Sequence, residues 1–254
     1  MERDAEINEM LGINDEALLE TQLEDPSVAA SQISPELVTG CKGFYNHAVK
    51  RVLDMALAMV LFVCLLPLYL VIAAAIVIDD GFPIAYRAKR GGYKGKTFYI
   101  CKFRSMVNNA DKIGGGTTAQ NDKRITRVGN VIRKLKLDEL LNLLNILKGE
   151  MSFIGPRPEL LKYTEQYTGT EKLIFEVRPG LTDYSSIEFI NLDEIVGSDN
   201  ADEMYEKYVL PRKNKLRVKY AATVSFSTDA RLFTLTIWKV LGKGYGYLVK
   251  KEHR

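Results

Sequence analysis

Histidine is nearly missing from this chain: His47 and His253 are the only two among 254 residues. Chemistry that leans on an imidazole base or a histidine metal cage has little to work with. Cysteine is scarce as well. Cys41, Cys64 and Cys101 are an odd, scattered set, which supplies neither a disulfide framework nor a zinc-ligand spacing and fits a reducing compartment. The glycine-rich stretch GGGTT at 114–118 lacks the Gly-Lys-Ser/Thr ending of a nucleotide-binding P-loop, and no internal repeat is present. What remains for chemistry is carboxylate, lysine and arginine.

Those charges are unevenly spread. The net charge of +3 hides an acidic head, residues 1 to 39, with ten acidic groups and one basic. Residues 85 to 136 hold fourteen basic groups and two acidic, a block that calls for an anionic partner. Residues 55 to 78 hold no charge at all. As a helix they would reach about 36 Å, enough for a hydrocarbon core of about 30 Å. The run starts too late and is too long for a cleavable signal peptide. Spanning is the default for such a run, and a buried helix of a soluble protein is a third reading. The flanks favour neither, because Lys50 and Arg51 precede the run and Arg87, Lys89, Arg90, Lys94 and Lys96 follow it, and positive charge prefers the cytoplasmic side. Pro67, near the middle, removes the backbone bond to the Val63 carbonyl. The expectation is a re-entrant helix-break-helix that enters and leaves the same leaflet.

Three regions follow: an acidic appendage over 1–40, a membrane-inserted segment over 41–80, and a cytoplasmic catalytic domain over 81–254. The head suits a short amphipathic helix and a Pro/Ser linker. IAYRAKRGGYKGKTFYICKFRSM alternates apolar and polar residues around Gly91-Gly92 and Gly95, which predicts a β-hairpin. The polar stretch NADKIGGGTTAQNDKR predicts a mobile loop. VGNVIRKLKLDELLNLLNILKGE has helical periodicity with Gly149 as a stop. Further helices are predicted over ELLKYTEQYTGTEKLIFE and ADEMYEKYVLPRKNKLRVKYAAT, with VRPGLTDYSS as a turn between them. The tail, from Asp229 to Lys251, is basic and amphipathic and suits an anionic membrane surface. The fold class expected is α+β and mainly helical, with a small hairpin and interfacial helices around a catalytic helix.

Within that helix stand two adjacent acids, Asp138 and Glu139. Neighbours on a helix point about 100° apart, so the two suit different roles: one carboxylate attacking an electrophile, the other holding a cation, a division that phosphoryl transfer favours. The plainer reading pairs Asp138 with Lys134 on a solvated face. In GPRPE, Arg157 lies between Pro156 and Pro158, which stiffen the backbone under a guanidinium fork suited to phosphate; Arg178, before Pro179 and Gly180, repeats the device. Each also reads as a structural turn with an arginine ion pair. Lys102 and Arg104 fall on one face of a strand at spacing two, able to clasp a diphosphate or simply to meet solvent.

Taken together, KRVLDMALA before a Pro-containing apolar run, KFRSM, RITRVGNVIRKLKLDELLNLLNILKGEMSFIGPRPE and VRPGLTD closely resemble the bacterial sugar transferase family, the monotopic phosphoglycosyl transferases. The resemblance covers residues 50 to about 245. It implies transfer of a sugar 1-phosphate from a UDP-sugar to polyprenyl (undecaprenyl) phosphate at the cytoplasmic face of the bacterial inner membrane, with release of UMP, as the first step of exopolysaccharide or lipopolysaccharide assembly. By the same matching Asp138 is the nucleophile that forms an aspartyl-phosphosugar intermediate and Glu139 helps hold Mg²⁺. Arg133 and Arg157 are expected phosphate or nucleotide contacts, with Lys102, Arg104 and Arg178 as further ones. The chain departs from the usual pattern where Leu66 replaces a serine before Pro67, where Leu141-Asn142 replaces Pro-Gln, and in GLTDYSS; these departures bear on the kink and on substrate choice. The partners implied are the nucleotide sugar, the lipid phosphate and inner-membrane lipids. Oligomeric state is open, a homodimer included. The sugar is not identified.

Two rival readings use less of the sequence. A membrane-tethered nucleic-acid-binding protein would account for the basic block, but it leaves the acidic pair idle and offers only Tyr93, Phe98, Tyr99 and Phe103 as stacking aromatics. No nucleic-acid partner is therefore expected. A non-catalytic scaffold for glycan assembly would keep the fold and the membrane contact without turnover.

Overall fold

A computed structural model describes residues 39–110, 122–190, 192 and 201–252, with side chains followed to residue 240. The expectations for the acidic head and for most of the glycine-rich loop lie outside the described residues. The chain is mainly helical with two small sheets, as its periodicities suggest.

The apolar run forms two helices, α1 (Lys50–Cys64) and α2 (Leu66–Asp80). Leu65 leaves the helical region at φ −91°, ψ 1°, and Pro67 sits in the first turn of α2, where its missing N–H costs nothing. The pair is bent by 62° at this break. Among the described residues no single helix is long and apolar enough to cross a membrane. Both arms carry bare apolar side chains, with Val60 on α1 and Leu70, Val71 and Ile78 on α2 all exposed.

Each end of the bent pair is fastened to the same body. At the entry, Lys50 forms a buried ion pair with Asp229, which also accepts hydrogen bonds from Tyr45 Oη (2.8 Å) and Tyr220 Oη (2.7 Å). Arg51 donates to the Ile146 and Leu147 carbonyls, and Asp54 Oδ1 accepts from the Phe153 amide at 3.2 Å. At the exit, Asp79 Oδ2 accepts from the Val128 amide at 2.9 Å.

The hairpin is present as β1 (Ala85–Gly91) and β2 (Thr97–Phe103), antiparallel with Ala88 opposite Ile100. The outer edge of β2 is closed by a side chain: Asn145 Nδ2 donates to the Tyr99 carbonyl at 2.7 Å, and its Oδ1 accepts from the Cys101 amide at 3.0 Å. The two bonds imitate a strand partner. Strand β2 ends at Phe103, so Arg104 does not share a strand face with Lys102, which corrects the sequence expectation. A second, parallel pair joins β3 (Ser152–Ile154) to β4 (Gly180–Thr182).

The predicted helix around the acids is instead three pieces. Helix α3 (Arg127–Lys134) is capped by Thr126 Oγ1, which accepts from the Gly129 amide. It stops where Lys136 adopts a left-handed conformation, φ 58°. A tight 3₁₀ turn, Leu137–Leu141, follows, and α4 (Asn142–Lys148) runs on to Gly149 at φ 84°. The break removes the regular helix that an Asp138–Lys134 pairing assumed. The expected helix over 159–176 is also interrupted, as a short α turn at Leu161–Thr164 and a 3₁₀ stretch at Gly169–Glu176. The turn expected at VRPGLTDYSS contains β4. Helices α5 (Leu210–Thr223) and α6 (Phe226–Glu252) complete the body, and Trp238 on α6 is exposed.

Candidate active site

The turn carrying the acids rests on the bent apolar helix pair and faces the hairpin. Leu137, Leu140 and Leu141 pack with Ile72, Ile76 and Phe103. Tyr69 of α2, in ring contact with Phe62 and Phe103, donates from Oη to the Leu140 carbonyl at 3.1 Å. Asp138 is buried at 6% exposure, and no described residue donates a hydrogen bond to its side chain. Burial, then the adjacent Glu139 charge, push its carboxyl above the usual carboxylate range, against the pull of Lys102, Arg133 and Lys136.

Glu139 is in the opposite situation. Arg157 Nη1 donates to its Oε2 at 2.9 Å and Arg157 Nη2 donates to its Oε1. Lys102 Nζ reaches the same Oε1 at 3.2 Å. Burial alone would raise this carboxyl, but Arg157 and Lys102 outweigh burial and hold it well below the usual range. The two acids are thus driven apart, one more basic and uncommitted, the other fixed as an anion between cations.

Arg157 arrives from the crossing of β3 and β4. The Gly155 amide donates to the Thr182 carbonyl at 2.9 Å, and the Gly180 amide to the Pro156 carbonyl at 3.0 Å. A Cβ on Gly155 would stand 2.3 Å from the Arg178 carbonyl oxygen, and one on Gly180 would stand 2.2 Å from the Gly155 nitrogen, so the two loops touch backbone to backbone. Behind them Glu159 is gripped by the fully buried Arg217 and by Tyr205 Oη. Arg157 also donates to the Leu181 carbonyl at 3.1 Å.

Of the residues singled out from sequence, Asp138, Glu139, Lys102 and Arg157 come together. Arg133 adjoins them through its charge on Asp138 and a long bond, 3.4 Å, to Ser105 Oγ. Arg104 and Arg178 are placed elsewhere. Arg104 is buried at the end of α2, donating to the Asp80 and Gly81 carbonyls at 2.8 and 2.7 Å and to Asn108 Oδ1 at 2.9 Å. Arg178 donates to the Gly149 carbonyl at 3.1 Å and stacks 4.9 Å from the Tyr93 ring centre. Both cap helix C-termini, where a cation meets unpaired carbonyls. Sequence reasoning passed over Glu159 and Arg217, although the acid directly follows the Pro-Arg-Pro segment; it noted Asn142 only as part of a departure from the family pattern that bears on substrate choice.

Among the described residues no group of three or more His, Cys, Asp or Glu side chains stands together, so the protein alone builds no closed metal cage. The donor set does fit Mg²⁺, which takes one or two carboxylates and completes its shell with phosphate oxygens and water. Two carboxylates with opposed environments, flanked by Lys102, Arg157 and Arg133 and seated on an apolar helix pair, make an arrangement able to take a multiply charged anion and carry out chemistry on it.

That arrangement is suited to phosphate chemistry, and the sequence comparisons give the family. The chain belongs to the bacterial sugar transferase family, whose model matches residues 45–243, and it is an enzyme of the phosphoglycosyl transferase class. It is 34% identical over 193 residues, 76% of this chain and 87% of the relative, to the uncharacterized sugar transferase EpsL of Bacillus subtilis. It is 34% identical over 198 residues to the UDP-glucose:undecaprenyl-phosphate glucose-1-phosphate transferase of Escherichia coli, covering 76% of this chain and 40% of that protein. To the UDP-N-acetylgalactosamine-undecaprenyl-phosphate N-acetylgalactosaminephosphotransferase of Aeromonas hydrophila it is 37% identical over 142 residues, 55% of this chain and 34% of that protein.

Proposed function

We propose that this enzyme transfers a sugar 1-phosphate from a UDP-sugar to undecaprenyl phosphate, releasing UMP, through a covalent intermediate on Asp138. The observation that carries the reading is the contrast between the two acids: Asp138 is buried with no donor to its side chain among the described residues, whereas Glu139 is held by Arg157 and Lys102. The names of two relatives specify the same donor and acceptor classes.

In the first half-reaction a carboxylate oxygen of Asp138 attacks the sugar-bearing phosphorus of the diphosphate. The bond from that phosphorus to the bridging oxygen breaks, and UMP leaves with the electron pair. Its elevated basicity makes Asp138 a stronger nucleophile once ionised. Arg157, Lys102 and Arg133 offset charge on the leaving group. In the second half-reaction an oxygen of the lipid phosphate attacks the same phosphorus, the bond to Asp138 breaks, and the carboxylate is regenerated. Glu139 would help hold Mg²⁺, which when bound would draw charge from the diphosphate.

A membrane seat brings the lipid phosphate to this turn, and the bent pair supports re-entry rather than spanning. Its entry residues Lys50, Arg51 and Asp54 and its exit residue Asp79 all bond the one polar body, which supports having both ends on one side. Two arms of about 22 Å bent by 62° form a V about 11 Å deep, less than one leaflet's ~15 Å of hydrocarbon. Exposed Trp238 on α6 suits the interface. A seat at the cytoplasmic face of the inner membrane is proposed, the side that the positive flanks Lys50, Arg51, Arg87 and Lys89 favour.

The test is mass spectrometry of purified enzyme given donor alone. A gain equal to one sugar phosphate in the native chain, absent in Asp138→Asn, is expected along with UMP release from a UDP-sugar and undecaprenyl phosphate. Turnover in Asp138→Asn equal to that of the native enzyme would remove the nucleophile assignment.

A further inference from the structure

One buried polar group beside the acids has no use in the chemistry described so far. Asn142 opens α4, is 1% exposed, and its Oδ1 has no hydrogen-bond donor among the described residues. A buried carbonyl without a partner costs about 1–3 kcal/mol, and native interiors leave few such groups. Asn145, one turn on, shows what a satisfied amide looks like on this helix: both ends of its carboxamide are bonded to β2.

The backbone places Asn142 close to the acids. Residues i and i+3 eclipse in a 3₁₀ turn, and Asn142 directly follows Leu137–Leu141, three residues after Glu139 and four after Asp138. It therefore lies on the side of the turn that carries Glu139, the residue bonded by Arg157 and Lys102. The residue is also unsuited to a purely structural task there. An apolar side chain of the same shape would pack without the desolvation cost, as Leu143 and Ile146, its neighbours in the core, do.

We propose that Asn142 is a substrate-binding residue: its carboxamide oxygen accepts a hydrogen bond from a hydroxyl or amide N–H on the sugar ring of the nucleotide sugar. This rests on the function proposed above. If the oxyanions of the diphosphate engage the cations around Glu139, the group one bond away from the reacting phosphorus is the sugar, and a hydroxyl or an amide N–H supplies the donor that Oδ1 lacks. A contact at this point helps decide which sugar is accepted, since a site built to hydrogen-bond a hydroxyl strongly rejects the analogue without it.

The experiment compares the native enzyme with Asn142→Leu and Asn142→Ala in detergent. It reads thermal stability, kcat/KM on a panel of UDP-sugars, and inhibition by UMP. For Asn142→Leu, near in shape, the expected result is a melting temperature at or above the native value together with a loss in kcat/KM of roughly 10- to 100-fold on the preferred UDP-sugar, with UMP inhibition unchanged. Asn142→Ala, which leaves room for water, is expected to show the same kinetic loss should the leucine variant fail to fold. Native kinetics in both variants would overturn the proposal, and so would an equal weakening of UMP inhibition, because the contact would then lie on the nucleotide. If the native enzyme itself released no UMP from any UDP-sugar, the proposed function would fall first, a result separate from either of these.

Discussion

Arg157 and Glu139, eighteen residues apart in the chain, meet as a two-pronged pair, Nη1 on Oε2 at 2.9 Å and Nη2 on Oε1. The pair joins the acidic turn to the crossing of β3 and β4. Two parallel N–H···O bonds fix the plane of the carboxylate as well as its charge. A group so held is oriented before substrate arrives.

Arg157→Lys should expose that dependence. Lysine keeps the charge but offers a point donor in place of the fork, so kcat/KM for the UDP-sugar is expected to fall roughly 10- to 100-fold with the fold retained. Arg104→Lys and Arg178→Lys, at helix ends, should instead lower the melting temperature and leave kcat/KM within about twofold of the effect that surface changes produce. Steady-state kinetics beside thermal melts would separate the two behaviours; equal kinetic losses in all three variants would contradict the sorting.

Acid should loosen the scaffold behind Arg157. Burial would raise the Glu159 carboxyl, but Arg217, Lys213 and Tyr205 outweigh it and bring it down to about 2. A depressed carboxyl contributes stability that is fully present above its unfolded value of 4.5 and is lost as pH falls from there toward 2. The contribution is about 3 kcal/mol at most, at 1.36 kcal/mol per pH unit. Denaturation followed between pH 7 and pH 3 should show this decline. Glu159→Gln should be less stable at pH 7 and flatter below pH 5; an unchanged slope would show that other groups govern it.

Gly155→Ala and Gly180→Ala place a methyl group within 2.3 and 2.2 Å of backbone atoms, which cannot swing aside as a side chain can. Each is expected to cost about 3 kcal/mol or more and to lower activity by displacing Arg157. Gly95→Ala is the control: no atom lies within 4 Å of its Cβ, and only its φ of +71° is unfavourable, a cost of about 1 kcal/mol. Chemical denaturation of the three variants gives the comparison.

Membrane re-entry makes a topological prediction. Single cysteines introduced at Phe44 and Phe82, both exposed, in a chain lacking its three native thiols should react with an impermeant reagent only from the cytoplasmic side. Labelling from opposite sides would show that the pair spans.

Much of this protein is written in short-range pattern. The apolar run, its break near Pro67, the alternation of the hairpin and the adjacency of Asp138 and Glu139 are properties of a few consecutive residues, and periodicity and composition report such properties directly. Two features next to the acids escaped that kind of reading. Lys136 takes a positive φ with neither glycine nor proline to signal it, and so one apparent helix became three pieces. Asn142 stands out in the sequence only as a departure from the family's Pro-Gln; burial adds that its carbonyl has no donor among the described residues.

The amino-acid order by itself determined the chemical inventory: no histidine to spare, two adjacent acids, stiff arginines, and an apolar segment interrupted by proline. Tertiary packing alone decided which cation serves which carboxylate. Arg104 and Arg157 are the same residue type in the sequence, yet one closes the end of α2 and the other grips Glu139. The reason is distance along the chain: an ion pair between separate elements exists only where close-packed backbones bring it within reach, here where Gly155 and Gly180 touch, and no local period records that contact.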